Sequence, residues 1–401
     1  MRKVLALGLL VCAVAVAQIP QATDLPGNVF TIKKTWIIGG EGKWDFLTMD
    51  PGGSQLFIAH GAEVQVVDVE TGQKAGTIKG LREAHAVAFD ESGQWGYVTD
   101  GPAGAVVVFD RRTLRVTATI ATAANPRALV YDAGTQLLFA LSYKPPQEPG
   151  KPRVKPSLTT LHLSAKPIVA PEPPIDPKAT TALTVINAQS QKSLGQILLP
   201  GEIDSVVSDG QGQIYFSAPG RRQIFRLDAS ASAGLLRAQP EATAARLDWS
   251  QEWSRLGFGS LPADCNQPRS LALDSHDMRL FVACESNKLA VLETGQGALV
   301  ATLPLTSGKV ALAYDGNHGL LYAADGNGIL TIVRQHVTDS YDLVQQLTTR
   351  GQARSMAVNP VSGEVYLVTQ VMGVDLKKPG GIGSLEEIPV SGSFQVLVVG
   401  N

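Results

Sequence analysis

Ionisable side chains recur at one position of this sequence, five residues before an aspartate or asparagine that ends an apolar run. The residues at this position are Asp45, His85, Arg127, Asp204, Arg269, Val310 and Arg354. Three of them are arginines, and converging guanidinium groups can bind a carboxylate or a phosphate. The alternative is structural, because each arginine can instead pair with an aspartate or a backbone carbonyl and hold neighbouring elements together.

A second set of polar residues ends the second apolar run after five of these positions. It comprises His60, Asp100, Ser142, Cys284 and Asp325. His60 and His85, joined by Asp45 or Asp100, could hold one metal ion, but an isolated histidine pair more often makes ordinary hydrogen bonds. We therefore expect no metal and no cofactor.

Motifs that would identify a reaction are missing from the sequence. It has no CxxCH for covalent haem, no GxSxG nucleophile turn and no HExxH zinc motif. The chain has 6 histidines, too few and too scattered for a copper cluster that needs many histidine ligands. The sequence thus identifies no catalytic residue, and the chain is more simply interpreted as a protein that is not an enzyme.

The polar positions belong to a repeat that occurs seven times. Its copies are VAFDESGQWGYVTD (87–100), LTMDPGGSQLFIAH (47–60), LVYDAGTQLLFALS (129–142), VVSDGQGQIYFSA (206–218), LALDSHDMRLFVAC (271–284), LAYDGNHGLLYAAD (312–325) and MAVNPVSGEVYLVT (356–369). Each copy predicts a β-hairpin whose Asp or Asn accepts hydrogen bonds from the turn backbone. The recurring aspartates are therefore predicted to form turns and not to catalyse.

A third apolar run follows every copy, as in AVVVFDRRT (105–113) and IFRLDASAS (224–232), and a fourth usually comes next, as in RVTATIA (115–121). Four strands about every 40 residues are typical of a propeller blade. The last copy reaches Asn401 after three strands, and FTIKKTWIIGG (30–40) can supply the fourth. The sequence therefore predicts an all-β, seven-bladed propeller of four-stranded antiparallel blades, closed by an N-terminal strand that pairs with the C-terminal blade.

The segment YVTDG (97–101) resembles the YVTN repeat of a family of exported seven-bladed β-propellers, and NPRALVYD (125–132) and QPRSLALD (267–274) are similar to the family's first-strand pattern. This resemblance implies the fold over nearly the whole chain and an exported protein. It does not imply one activity, since related propellers include lactone hydrolases and non-catalytic parts of redox enzymes.

Three irregular segments interrupt the repeat at 144–180, 239–267 and 370–393, and the first of them is rich in proline. In a propeller of this register all three are expected on one face, together with the starts of the inner strands, where they surround the mouth of the central channel. Trp249, Trp253 and Phe258 lie in the second segment, which is the best candidate for a short helix. An exposed patch of these three side chains would indicate a protein partner.

The N-terminus predicts export. Arg2 and Lys3 precede an apolar run that ends in Ala-Val-Ala at 15–17, so residues 1–17 are interpreted as a signal peptide and 18–401 as one periplasmic or secreted domain. A lipid anchor on Cys12 is the alternative. The two cysteines that follow, Cys265 and Cys284, are predicted to form a disulfide. No segment after the leader is predicted to span a membrane.

The formal net charge of −2 argues against nucleic-acid binding, which needs a basic surface. The preferred hypothesis is a non-enzymatic exported propeller that binds a protein or a small anionic ligand on its loop-bearing face. One alternative is a lactonase-type hydrolase that uses His85, Asp45 and Arg127 at the mouth. Another is an accessory subunit of a periplasmic redox enzyme.

Overall fold

Each of the seven repeats folds as the hairpin that its alternating apolar residues predict. The computed structural model describes residues 29–40, 42–143, 180–239, 246–250, 253–336, 339–374 and 387–401. Within these ranges the strands form seven blade sheets, each with four antiparallel strands, and one of them gains a fifth strand. The predicted seven-bladed propeller is confirmed. The proposed signal peptide, Cys12 and all but the last residue of the 144–180 segment lie outside the described residues.

The strands are numbered along the chain, and those of each blade are given in order from the channel outwards. An N-terminal strand, β1 (Thr31–Ile37), comes first. Blade 1 holds β2 (Trp44–Met49), β3 (Gln55–His60), β4 (Glu63–Asp68) and β5 (Lys74–Ile78). Blade 2 holds β6 (Ala84–Phe89), β7 (Trp95–Asp100), β8 (Ala105–Asp110) and β9 (Arg115–Ala121). Blade 3 holds β10 (Pro126–Asp132), β11 (Leu137–Tyr143), β12 (Thr180–Asn187) and β13 (Lys192–Pro200).

Blade 4 is the irregular one. Its sheet holds β14 (Val206–Ser208), β15 (Gln213–Ala218), β16 (Gln223–Asp228) and β18 (Gly257–Phe258), with a 3-10 turn (Pro219–Arg221) between β15 and β16. Between β16 and β18 the chain forms helix α1 (Ala229–Arg237), strand β17 (Arg246–Asp248), which joins the sheet of blade 3, and helix α2 (Trp253–Leu256).

Blades 5 to 7 complete the ring. Blade 5 holds β19 (Pro268–Asp274), β20 (Arg279–Cys284), β21 (Lys288–Glu293) and β22 (Leu299–Pro304). Blade 6 holds β23 (Val310–Asp315), β24 (Leu320–Asp325), β25 (Ile329–Gln335) and β26 (Tyr341–Thr348). Blade 7 holds β27 (Ser355–Val358), β28 (Val365–Thr369) and, after the separate hairpin of β29 (Met372–Val374) and β30 (Glu387–Pro389), β31 (Gln395–Gly400).

Strand β1 closes the ring as the fourth strand of blade 7. It pairs antiparallel with β31, with Thr31 opposite Gly400. Just before it, the backbone N–H of Phe30 donates to Gln345 Oε1 at 2.8 Å, and Gln345 Nε2 donates back to the Phe30 carbonyl at 3.0 Å. The N-terminal strand is therefore tied both to its own blade and to blade 6, and the predicted closure is confirmed.

Apolar side chains from facing blades form the core in layers around the channel. Between blades 1 and 2, for example, the rings of Phe57 and Phe89 lie 4.8 Å apart, and Phe109 packs 5.9 Å from Phe57. All three side chains are buried. Because each sheet buries one face against each neighbour, the ring is stabilised by contacts between blades as well as within them.

The turn residues act as predicted, and several of them also join one blade to the next. Asp50 accepts hydrogen bonds from the backbone of Ser54 at 2.7 Å and of Gln55 at 2.6 Å. The same buried carboxylate receives Arg111 of blade 2 at 2.7 Å. Asn359 of blade 7 donates to the Gly53 carbonyl of blade 1 at 2.9 Å. These bonds lie on the face opposite the channel mouth, which we call the turn face.

The third strand of blade 4 ends earlier than the sequence predicts. The run predicted as a third strand at 224–232 stops at Asp228, whose side chain accepts a hydrogen bond from the Ala231 N–H at 2.7 Å and so caps α1. The backbone N–H of Ala229 bonds to Gly212 in the hairpin turn. Helix α1 therefore begins on the turn face, before the 239–267 segment.

The described residues of the 239–267 segment add one strand to each of two blades. Strand β17 adds in parallel to β13 as a fifth strand of blade 3. Strand β18 pairs with β16 as the short outer strand of blade 4. The expected short helix is present as α2. The segment at 370–393 does lie at the mouth, where its described residues form the β29–β30 hairpin.

Candidate functional site: the channel mouth

The seven recurring residues meet at the start of the inner strands. Two adjoining cavities open there, and we call them together the channel mouth. The first, of about 490 Å³, is lined by Asp45, His85, Arg127 and Arg354. The second, also of about 490 Å³, is lined by Asp204, Arg269, Val310 and Arg354. The register of the repeat therefore brings all seven positions to one opening, and Arg354 lines both halves.

An aspartate–histidine pair forms one wall of the first cavity. Nδ1 of His85 lies 2.8 Å from Oδ2 of Asp45, and the guanidinium of Arg127 lies 3.8 Å from the same oxygen. The His85 side chain is only 3% exposed, and its Nε2 is buried without a hydrogen-bond partner among the described residues. Asp45 thus orients a buried imidazole and weakly holds an exposed arginine.

This geometry does not favour His85 as a general base. A base must place a free nitrogen within hydrogen-bond reach of the substrate or of a water molecule. Here Asp45 occupies Nδ1, and Nε2 is turned into the protein beside Gly101, where an added Cβ would lie 2.6 Å from it. The lactonase-type arrangement would require His85 to leave this position.

Arg269 is the most firmly held of the three arginines. Its Nε donates to Glu285 Oε1 at 2.8 Å, and its terminal nitrogens lie 3.5 Å from Asp204 Oδ1 and 3.2 Å from Gln267 Oε1. Burial in the mouth raises the pKa of the Asp204 carboxyl, while the charge of Arg269 opposes that rise. Although 36% of the Asp204 side chain is accessible, protein surrounds the opening that it faces, so desolvation prevails. Arg269 therefore links neighbouring blades through its ion pairs and is not a free anion-binding group.

Arg354 behaves differently. It precedes β27, is exposed, and its guanidinium makes no hydrogen bond or ion pair with any residue that the structure describes. Its position in both cavity walls leaves a charged donor group facing the opening. Of the three arginines predicted as a cluster, Arg269 is therefore paired and Arg127 is weakly held. Arg354 has no partner among the described residues and can bind a ligand.

No member of the second predicted set is among the residues that line the two cavities of the mouth. His60 is buried, bonds to the Gly42 carbonyl at 3.2 Å and packs 4.2 Å from the ring of Phe394. Asp100 accepts the backbone N–H groups of Arg82 at 2.8 Å and Glu83 at 3.1 Å. These side chains fix the links between blades, one layer behind the opening.

The remaining members of that set act in the same way. Asp325 accepts the N–H of Ile329 at 2.8 Å and the Thr306 hydroxyl at 3.1 Å, and the Ser142 hydroxyl donates to the Ala123 carbonyl at 3.0 Å. Cys284 is joined to Cys265 by a disulfide with a Cα–Cα distance of 5.2 Å. Among the described residues no group of three or more His, Cys, Asp or Glu side chains is arranged to hold a metal ion.

Neither Trp249 nor Phe258 of the second insertion is fully exposed. Phe258 is buried, with its ring 5.2 Å from Tyr215 and the guanidinium of Arg226 at 4.6 Å. Trp249 is half-buried against the core of blades 3 and 4. The Trp253 side chain lies outside the described residues. The predicted partner-binding loop therefore lacks support from the two side chains that can be located.

Several mouth residues were not identified from the sequence. They are Lys43, Glu83, Glu285, Lys309, Gln352, Gln370 and Met372. A signal existed for four of them, because Lys43, Glu83 and Gln352 stand two residues before a recurring position and Lys309 stands one before. The link into each inner strand also lines the channel, so a search extended by two residues would have found them.

Comparisons with known proteins bear on the fold. The sequence matches no protein-family model and no curated protein. A chain of a "Mitotic Checkpoint Complex" structure is similar with a TM-score of 0.63 and 11% identity, over 100% of this chain and 99% of that one. The WD40 repeats of RRP9 give 0.60 and 10%, over 90% and 96%. Hydrazine synthase of Kuenenia stuttgartiensis gives 0.52 and 14%, over 74% and 84%.

At 10–14% identity these likenesses bear on the fold alone, and they place the chain among β-propellers with WD40-repeat structural neighbours. In the described part of the chain, neither helix has the length and apolar character that crossing a bilayer requires.

Proposed function

We propose that this protein is a non-catalytic binding propeller that holds an anionic ligand at its channel mouth. The observation that carries the proposal is Arg354, an exposed guanidinium without a partner among the described residues and shared by both cavities. Free arginines in a concave site bind carboxylate and phosphate groups through paired hydrogen bonds.

The charge of the mouth supports the same conclusion. Its described lining contains five cationic and four acidic side chains, namely Lys43, Arg127, Arg269, Lys309 and Arg354 against Asp45, Glu83, Asp204 and Glu285. The excess is positive although the whole chain is slightly negative at −2. A local positive field inside a channel concentrates anions near the opening.

Export is part of the proposal. The YVTN-like repeats and the N-terminal apolar run favour an exported protein, periplasmic or secreted, and the Cys265–Cys284 disulfide suits an oxidising compartment. Localisation of the full chain with and without residues 1–17 would test this. Retention of both forms in the cytoplasm would contradict it.

Titration calorimetry with acetate, phosphate and sulfate tests the binding function. At least one of these anions should bind the wild-type chain, and Arg354→Ala should weaken that binding about tenfold or more, the amount expected for one charge-assisted contact. Arg115→Ala is the matched control, because Arg115 is exposed on an outer strand away from the mouth. Equal affinities in the two variants would contradict the proposed function.

A protein partner is the second candidate. Val371, Ile388 and Val390 are between 40% and 45% exposed beside the mouth, on or next to the β29–β30 hairpin. The structural neighbours named above include parts of protein complexes. A photo-crosslinker at position 388 should then capture one defined protein that Ile388→Asp releases, whereas a crosslinker at the exposed Ile37 should not. Identical products from both positions would argue against this candidate.

A further inference from the structure

The lining of the mouth has a net excess of one positive charge, so it matches a ligand with one negative charge. Glu285 and Asp204 hold Arg269, and Lys309 lies 3.9 Å from Glu285. In the first cavity the charges of Lys43 and Arg127 are matched in number by those of Asp45 and Glu83, so the net positive charge of the mouth equals that of Arg354 alone. A phosphate dianion would add a second negative charge beside four acidic side chains, and like charges in a confined opening repel. A single carboxylate matches the site better.

Apolar side chains stand beside this charge. Phe46 faces the second cavity with 46% of its surface exposed, at the inner-strand position where every other repeat has a small residue. Trp44 and Met372 line the first cavity. A single exposed phenylalanine is common on a protein surface. This one lines the same cavity as Arg354, where a hydrocarbon group could cover it at a gain of roughly 25 cal/mol per Å².

The first cavity also contains a buried acceptor. Gln370 is 6% exposed, its Nε2 donates to the Val390 carbonyl at 3.3 Å, and its Oε1 has no donor among the described residues. Because this oxygen is itself buried, it adds no hydrogen-bonding group to the surface that a ligand would meet.

We propose that the ligand of the mouth is an organic monocarboxylate with an apolar body, its carboxylate on Arg354 and its hydrocarbon against Phe46. This inference rests on the proposed anion-binding function and narrows it to one ligand class. The free cation, the single excess charge and the inward aromatic residue carry it together.

Titration of the full chain with hexanoate, 1-hexanol and inorganic phosphate tests the inference. Hexanoate should bind at least about tenfold more tightly than the alcohol, which lacks the charge, and than phosphate, which lacks the body. Arg354→Ala should remove that preference, and Arg354→Lys should retain part of it. Phe46→Ser should weaken hexanoate several-fold while leaving acetate unchanged, and Arg115→Ala should change nothing.

The outcomes separate the two proposals. Phosphate binding that depends on Arg354 and equals or exceeds hexanoate binding would overturn the monocarboxylate and leave the anion site intact. Hexanoate and hexanol binding with equal affinity, both indifferent to Arg354→Ala, would overturn both proposals. A melting curve recorded by circular dichroism for each variant shows whether a loss of binding is a loss of folding.

Discussion

Replacing Phe30 with alanine tests whether the N-terminal strand holds the ring closed. Phe30 is 2% exposed and its ring packs edge-on, 6.1 Å from Tyr322 of blade 6. Truncating a buried phenylalanine usually costs 3–5 kcal/mol, because apolar contact is lost and a cavity remains. The backbone bonds to Gln345 survive the change, so we expect a loss of about 3 kcal/mol in the free energy of unfolding.

Urea unfolding followed by tryptophan fluorescence measures this loss, because Trp36 lies on β1 with its ring 5.6 Å from Tyr366. Ile37→Ala is the matched control on the same strand. Ile37 is 76% exposed, so its truncation should cost less than about 0.5 kcal/mol. Hydrogen exchange should also show faster exchange of the β31 amides in Phe30→Ala, since β1 is their outer partner.

Two results would refute this reasoning. If both variants unfold at the same urea concentration, Phe30 does not anchor the strand. If Phe30→Ala is less stable but β31 keeps its protection, the residue contributes to the core without closing the ring. Only loss of stability together with loss of β31 protection fits closure by β1.

Three further predictions follow from other contacts. Replacing Cys265 and Cys284 together with serine should lower the free energy of unfolding by about 3 kcal/mol, as expected for a loop with a sequence separation of 19 residues, and reducing agent should then have no further effect on the urea midpoint. Arg111→Ala should cost roughly 1.5–3 kcal/mol in the same assay, because it removes the cation from the buried Asp50 carboxylate. Because burial raises the pKa of Asp204, lowering the pH protonates this carboxyl early and makes the mouth more positive. Calorimetry should therefore show tighter anion binding as the pH falls from about 7 towards 5, and Asp204→Asn should abolish that trend.

The sequence predicted the ring well because each blade repeats one local pattern. Alternation of apolar and polar residues fixes the two faces of a strand, and an Asp or Asn at each turn fixes its length. Two short signals, the missing last strand and the apolar run at 30–40, were enough to predict that β1 closes the ring. The structure places Asp45, His85 and Arg354, which share one position of the repeat, around the same cavity.

The partners of the mouth residues could not be predicted in the same way. Which arginine meets which carboxylate depends on how adjacent blades are rotated, and neither Glu285 nor Gln267 belonged to the recurring position. The strand-end aspartates were misplaced for a different reason. Unpaired N–H groups in the links between blades compete for these side chains, so Asp100 binds Arg82 and Glu83 backbone instead of facing the channel.

Blade 4 shows where repetition fails as a guide. The run DASASAGLLR at 228–237 overlaps the end of the strand predicted at 224–232, although its alanines and its Asp cap favour a helix. The insertion could extend because a neighbouring edge was available, and β17 pairs with β13 of blade 3. A repeat predicts the common frame, but only local propensity shows where one copy departs from it.

Polar side chains on the turn face stabilise the fold, whereas Arg354 on the mouth face does not. The mouth can therefore carry unpaired charge. On the turn face, buried carboxylates such as Asp50 bind their own turn and the next blade, so a substitution there weakens both contacts. On the mouth face, Arg354 is exposed and bonds to no described side chain, so its removal leaves no buried group unsatisfied. Substitutions at Arg354 should therefore alter ligand affinity with little change in stability, whereas those at Asp50 should do the reverse. A site whose charge is not needed for folding can be adjusted to its ligand independently of the ring.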